Sequence, residues 1–385
     1  MNESNYFIDR KTGLPFPGQA DGVDGVEIFL NEVQTRKFEP IPTGILSIDE
    51  MLHGGFERGS LVTLGAAPGA GKTAIAQYIL ENMAKNGTDV LYINLEMGRS
   101  QLLARSIART AYINRPKKTF KDDLTALDIK RGYMWTKEQR DQVYYAAALY
   151  REQIAPRFVY NPDGVTNEIG SIVNAINSEA TRTKSEGRAA PIVCIDYLQI
   201  VENAPEESGR TKDTAEGIKA TLKTLEELAE RLETVIVVII AHNRSSNKDG
   251  RVTMESGRDT SNIEYAGDLM LGLNFTAIED KEKLKTGETD TKGNTIYKQY
   301  TLEDIRDLMD EARQRREDVP LVARRLCLKI LKSRSTETGG KARFIFDGRH
   351  FTFEPDGVAF NNEYGVRPFA NIDDGLDVAR QLPPT

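Results

Sequence analysis

"GAAPGAGKTAIAQYIL", residues Gly65–Leu80, sets three glycines, a proline and a lysine between the apolar run "LVTLGA" and a segment of helical periodicity. Ala66, Gly71, Lys72 and Thr73 fall at the four defining positions of a phosphate-binding loop, with Ala67, Pro68, Gly69 and Ala70 between them. Alanine stands where the stricter pattern has its first glycine, so the strand-loop-helix context carries part of the reading. Glycines let successive backbone N–H groups turn inward around phosphate oxygens, and the helix that follows aims its positive end at the same charge. Lys72 is placed to reach the outer phosphates and the Thr73 hydroxyl to ligate Mg²⁺, which makes ATP and Mg²⁺ the expected cofactors.

Short β-branched runs alternate with helical patterns on both sides of this loop: "LVTLGA", "VLYINLE", "RFVY", "PIVCIDYLQI", "TVIVVIIAH" and "LMLGLNF". Strands buried on both faces read this way, so the expected fold is α/β with a mostly parallel sheet. Ile169, Ile172, Val173 and Ile176 share one helical face, and Ile218, Leu222, Leu225, Ala229 and Leu232 share another. From 276 to about 320 the chain is charge-dense and reads as an insertion, "TGETDTKGN" as a loop and "LEDIRDLMDEARQRRED" as a solvated helix. In "ARFIFDGRHFTFE" the pair Asp347-Gly348 between alternating apolar runs signals a hairpin. The resulting division is a polar segment 1–40 with a helix at 24–37, a core 41–358 and a tail 359–385.

A phosphate loop needs a carboxylate for the metal shell at the end of a nearby buried strand, and Asp196 in "IVCIDYLQI" occupies that place. Glu96 ends "VLYINLE" and would emerge at the same sheet edge, where it can orient or deprotonate a water. A strand-end Asp that caps a turn and an ordinary strand-terminal Glu are the competing readings of these two residues.

Composition narrows the class. With 39% hydrophobic residues in 385, the chain can bury a real core. Cys194 and Cys327 both sit in apolar runs and read as buried thiols rather than as metal ligands or a disulfide. The amino terminus lacks the build of a signal peptide and no run is long enough to span a bilayer, so a cytoplasmic protein without membrane contact is expected. A formal net charge of −7 counts against a general nucleic-acid binder, although basic loops lining a ring evade that objection.

"IPTGILSIDEMLHGGFERGSLVTLGAAPGAGKT", "INLEMGRSQLLAR", "CIDYLQI", "SNIEYAGDLML" and "LKSRSTETGGKARFIFDG" occur in the order and spacing of the ATPase domain of DnaB-type replicative helicases, which residues 41–355 resemble. The resemblance implies a RecA-like core in a ring, a homohexamer by expectation, that translocates on single-stranded DNA in the 5′-to-3′ direction and splits duplex. It makes Glu96 the water-activating glutamate and Asp196 the Mg²⁺-associated aspartate. Lys332 and Arg334 match the basic pair that a neighbouring subunit inserts toward the γ-phosphate; a solvated strand end is the alternative. His242 stands near the position of a γ-phosphate sensor, where typical members carry a serine-glutamine pair; a structural histidine is the alternative. Arg244, Lys248, Arg251 and Arg258, in the segment after His242, are the counterparts of a DNA-gripping channel loop, or else belong to an ordinary charged loop.

The likeness has one large departure. Typical members carry a separate amino-terminal domain that binds primase, whereas about 40 residues precede this core, so primase recruitment by the usual route is not expected. The helix at 24–37, with Val26, Phe29, Leu30 and Val33 on one face, resembles the linker helix that docks on an adjacent subunit. A RecA-like regulatory or recombination ATPase that switches an assembly without unwinding remains the alternative. An inactive scaffold is disfavoured by the joint presence of Lys72, Thr73, Glu96, Asp196 and Arg334.

Overall fold

The computed structural model describes residues 22–34, 39–66, 69–116, 120, 123–198, 201, 214–241, 267–289, 291–292, 294–335 and 337–356. In chain order these form α1 (Gly22–Gln34), α2 (Leu46–Met51), β1 (Leu61–Ala66), α3 (Lys72–Lys85), β2 (Val90–Asn94), α4 (Arg99–Asn114), α5 (Ala126–Lys130) and α6 (Lys137–Gln153). Then follow β3 (Phe158–Tyr160), α7 (Ile169–Ser185), β4 (Ile192–Asp196), α8 (Thr214–Leu232), β5 (Ile236–Ala241), β6 (Leu269–Phe275) and α9 (Thr276–Glu279). The remainder is β7 (Lys283–Thr289), β8 (Thr295–Gln299), α10 (Leu302–Arg315), β9 (Arg325–Ser333), β10 (Lys341–Asp347) and β11 (Thr352–Pro355).

Nine strands make one sheet in the order β11-β10-β9-β6-β1-β5-β4-β2-β3. The pairings from β6 through β3 are parallel, while β9, β10 and β11 add antiparallel at one edge. The two-residue period of a strand explains the core. Along β5, Val237 and Ile239 face one apolar cluster and Ile236, Val238 and Ile240 the other; β4 does the same with Cys194 against Val193 and Ile195. Helices α3 and α4 cover the first face, and α7 and α8 the second through Ile172, Ile176, Leu222, Leu225 and Ala229. Both cysteines are buried and unbonded to each other. Burial pushes the Cys327 thiol up to about 11, with the Glu279 charge adding to the shift.

Three expectations are corrected. "TGETDTKGN" is not all loop: its first four residues are the end of β7, which pairs with β8 in a two-stranded ribbon. The helix α10 is docked rather than fully solvated, with Ile305 and Ala312 buried and Leu302, Leu308 and Met309 packed against the core. The charge-dense, solvated character also does not begin at 276, because α9 is buried and its Glu279 holds Lys329 and Lys341. The closing hairpin forms, with Asp347 opposite Thr352 across a four-residue loop that Gly348 opens.

The amino-terminal helix spans Gly22–Gln34, with Val26, Phe29, Leu30 and Val33 each about half exposed. No described helix is long and apolar enough to cross a membrane. The expected tail, 359–385, lies outside the described residues.

Candidate active site

The carboxyl ends of β1, β2 and β4 converge on one edge of the sheet, the edge where ligands gather in such folds. Ala66 closes β1, and Gly71 caps α3 at φ +87, a left-handed backbone that glycine takes without cost. Gly69 has φ +86, and the first turn of α3 holds no acidic residue and no side-chain cap, leaving its N–H groups for an anion. Ala70 is buried behind them. Lys72 extends from this turn with Nζ 4.3 Å from the centroid of the Tyr197 ring, a cation–π contact that fixes the ammonium beside Asp196.

Asp196 is fully buried. Its Oδ2 accepts from the Tyr92 hydroxyl at 3.1 Å and from Asn94 Nδ2 at 3.2 Å, while Oδ1 is buried and takes no hydrogen bond of normal geometry. Burial raises its pKa above the usual carboxylate range, against the pull of the nearby Thr73 and Tyr92 hydroxyls and the Lys72 charge; Glu96 adds to the rise. A buried, half-satisfied carboxylate beside a hydroxyl and an ammonium lacks one positive partner. A divalent cation, or its bound water, fits that deficit, and Thr73 and Asp196 are the residues that would hold it.

Glu96 lies two residues past the end of β2, exposed in a turn that Asn94 organises. The Asn94 side chain accepts from the Glu96 N–H at 3.1 Å through Oδ1 and donates to Asp196 through Nδ2. Asn161, at the end of β3, clasps the Asn94 backbone from both sides at 2.6 and 2.9 Å. Asn94 therefore ties the Asp196 carboxylate to the turn that carries Glu96, a link no motif revealed. Arg105 on α4 was also missed: its guanidinium lies 4.6 Å from the centroid of the Phe351 ring. Burial lowers its pKa, opposed by attraction to Tyr92, Asp196 and Glu96, so it is a cation turned toward the same edge. The available signal was a basic residue on the half-buried side of the helix that follows Glu96.

Lys332 and Arg334 are placed elsewhere. Antiparallel pairing sets Ser333 opposite Leu269, which neighbours Val62 near the start of β1. The loop begins after Ala66, and the five steps from Leu61 to Ala66 rise roughly 17 Å. The basic pair thus sits at the edge opposite its own phosphate loop, beyond the reach of either side chain. Ala67, Pro68, His242, Arg244, Lys248, Arg251 and Arg258 lie outside the described residues.

A parallel sheet with a phosphate loop after its central strand, an aspartate on β4 and a glutamate just past β2 defines a P-loop nucleotide-binding core of the RecA type. The model of the DnaB-like helicase C-terminal domain matches residues 40–354, and the chain belongs to that family. It is 28% identical over 246 residues to the replicative DNA helicase DnaC of Bacillus subtilis, covering 63% of this chain and 48% of that protein. It is likewise 28% identical over 254 residues to the replicative DNA helicase DnaB of Geobacillus stearothermophilus, covering 65% and 50%. The chain thus spans about half the length of these curated relatives. Among solved structures, the ATPase domain of G40P superposes with a TM-score of 0.61 at 19% identity, covering 87% of this chain and 99% of that one. A DnaB-like replicative helicase solved for its interactions with primase gives 0.60 at 19% identity, covering 89% and 68%.

Proposed function

We propose that this chain is an ATP-dependent DNA helicase of the DnaB-like type, which assembles as a homohexameric ring, moves along single-stranded DNA and displaces the complementary strand during replication. One observation carries the reading: Lys72, Thr73, Glu96 and Asp196 meet at one sheet edge while Lys332 and Arg334 stand at the other. A subunit built this way holds nucleotide but lacks the cations that meet the developing γ-phosphate charge, and a neighbour in a ring supplies them. The exposed stripe of Val26, Phe29, Leu30 and Val33 on α1 supports assembly, since this much apolar surface on one helix face calls for a partner.

Each residue then has a task. Backbone N–H groups at Gly69–Thr73 and Lys72 would bind the phosphates, and Thr73 with Asp196 would hold Mg²⁺, which would supply charge to neutralise the phosphoryl oxygens. Glu96, held by Asn94, accepts a proton from the attacking water, and the Arg105 charge attracts its carboxylate.

The test is strand displacement from a forked duplex with ATP, beside electron microscopy of the same sample. ATP-dependent displacement by ring-shaped particles is expected, and Phe29→Asp should disperse the rings and stop displacement together. ATP hydrolysis without displacement would favour a switching ATPase instead.

The buried carboxylate gives a pH signature. With its pKa raised by burial in the free protein, Asp196 keeps its proton to a higher pH than an ordinary aspartate, and that proton would have to leave when a divalent cation binds. Mg²⁺–ATP binding should therefore release protons and weaken as pH falls toward the ordinary carboxylate range. Calorimetry in two buffers of different ionisation enthalpy measures that release. Asp196→Asn should abolish it, and an unchanged release in that variant would assign the proton to another group.

A further inference from the structure

Arg334 is held by two carboxylates as well as by its own strand. Its Nη1 donates to Glu226 Oε1 at 2.9 Å, on α8, and to Asp268 Oδ1 at 2.5 Å, in the segment before β6. Its backbone N–H donates to the Asp268 carbonyl at 2.9 Å. The second Asp268 oxygen accepts from the Leu61 N–H at 2.9 Å, so that carboxylate is itself fixed to the start of β1. Beside it, Lys332 Nζ donates to the Gly267 carbonyl at 3.0 Å. Both basic residues are thus anchored on Gly267–Asp268. The group borders an open cleft of about 500 Å³ lined also by Arg58 and Lys223 and by Glu227, Glu230 and Glu233.

The pattern of bonds on the guanidinium is informative. Both carboxylates share one nitrogen, Nη1, whereas Nε and Nη2 make no hydrogen bond among the described residues, and the side chain is 55% exposed. One tine of the fork is held and, among the described residues, the other edge is open, the edge that binds a planar pair of phosphate oxygens. An arginine anchored like this has already given up much of its rotamer freedom before a phosphate arrives.

We propose that Glu226 and Asp268 form a carboxylate clamp that positions Arg334 so that its free edge meets the γ-phosphate held by the adjacent subunit. The inference rests on the reading of Arg334 as a residue acting in trans. Glu226 is a positioning residue here, since it touches the finger and not the nucleotide. Two effects compete at this place. The clamp fixes the geometry, but its negative charges also weaken the pull of the finger on phosphate. Positioning wins if the loss of Glu226 slows turnover, and charge wins if it speeds turnover.

Glu226 is the residue to vary, because Asp268 also ties down β1 and its loss would disturb the sheet. Steady-state ATP turnover is measured on assembled protein with a single-stranded oligonucleotide, for wild type, Glu226→Ala, Glu226→Gln, Arg334→Ala and the double variant Glu226→Ala/Arg334→Ala. Native mass spectrometry reports assembly. Glu226→Ala should lower kcat about tenfold with KM for ATP changed less than about twofold, as expected for an interaction used only in the transition state. Glu226→Gln, which keeps an acceptor oxygen, should recover most of the rate. In the Arg334→Ala background the loss of Glu226 should cost nothing further. If Glu226→Ala turns over at or above the wild-type rate while Arg334→Ala is crippled, the clamp is wrong and the finger stands. If Arg334→Ala itself is fully active, the trans reading fails and the clamp with it. Loss of assembly in both Glu226 variants would give the residue a structural role and overturn the proposal.

Discussion

Lys72→Ala is expected to abolish ATP turnover, by about 10³-fold or more, and to weaken nucleotide binding severely. Lys72 is the one cation the phosphate loop itself supplies, and it stands on the first turn of α3 with its Nζ placed by the Tyr197 ring. Its ammonium also offsets the charge of Asp196, whose carboxylate is buried and only half satisfied. Removing the ammonium takes away both the phosphate partner and that support. Glu96→Gln should contrast with it. The amide keeps the turn that Asn94 holds and leaves ATP bound, but it cannot take a proton, so binding survives while turnover stalls. Equilibrium binding of a fluorescent ATP analogue beside phosphate release separates the two variants. Near-normal hydrolysis in Lys72→Ala would overturn the site, and wild-type turnover in Glu96→Gln would move the base to another residue.

The second large effect is expected at Arg334. Replacing it by Ala should slow hydrolysis by about 10³ to 10⁵, the range over which an arginine supplied to developing phosphoryl charge acts. Affinity for ATP should hardly change, because the phosphate loop of the same chain is untouched and lies at the far edge of the sheet. This split between binding and rate distinguishes a transition-state contact from a residue that stabilises the fold. The fold itself should tolerate the loss. Arg334 lies one residue past the end of β9, is 55% exposed, and the strand keeps its pairing with β6 and β10. Equal loss of ATP affinity and rate, with a lowered melting temperature, would instead mark it as structural.

The fold was legible because burial writes itself in two-residue and 3.6-residue periods. The six runs read as strands of the main sheet contain strands, and the faces of α7 and α8 are the ones their apolar spacing assigned. The insertion read less well. Its ribbon is exposed and polar on nearly every residue, so β7 and β8 carry no apolar alternation to betray them. For α10, Ile305 and Ala312 were too few among charged neighbours to mark a docked face. At the candidate site, Lys72, Thr73, Glu96 and Asp196 could be nominated from sequence because phosphate and metal chemistry demand those residue types at those places. Asn94 and Arg105 escaped because they act through neighbours distant in sequence: Asn94 joins two strand ends, and Arg105 reaches the edge across a helix. The separation of Arg334 from its own phosphate loop also needed the sheet register, since only the antiparallel return of β9 sends it to the opposite edge.

The claim that one catalytic site is built from two subunits is tested most directly by mixing two inactive variants. Arg334→Ala subunits retain a sound phosphate loop, Lys72→Ala subunits retain a sound finger, and each parent lacks one half of every site it can form alone. With subunit exchange established by native mass spectrometry, mixed rings should regain ATP hydrolysis at the interfaces where a sound loop meets a sound finger, in proportion to the statistical frequency of such interfaces. Hydrolysis no greater than the sum of the two parents, in rings shown to contain both subunits, would contradict the account.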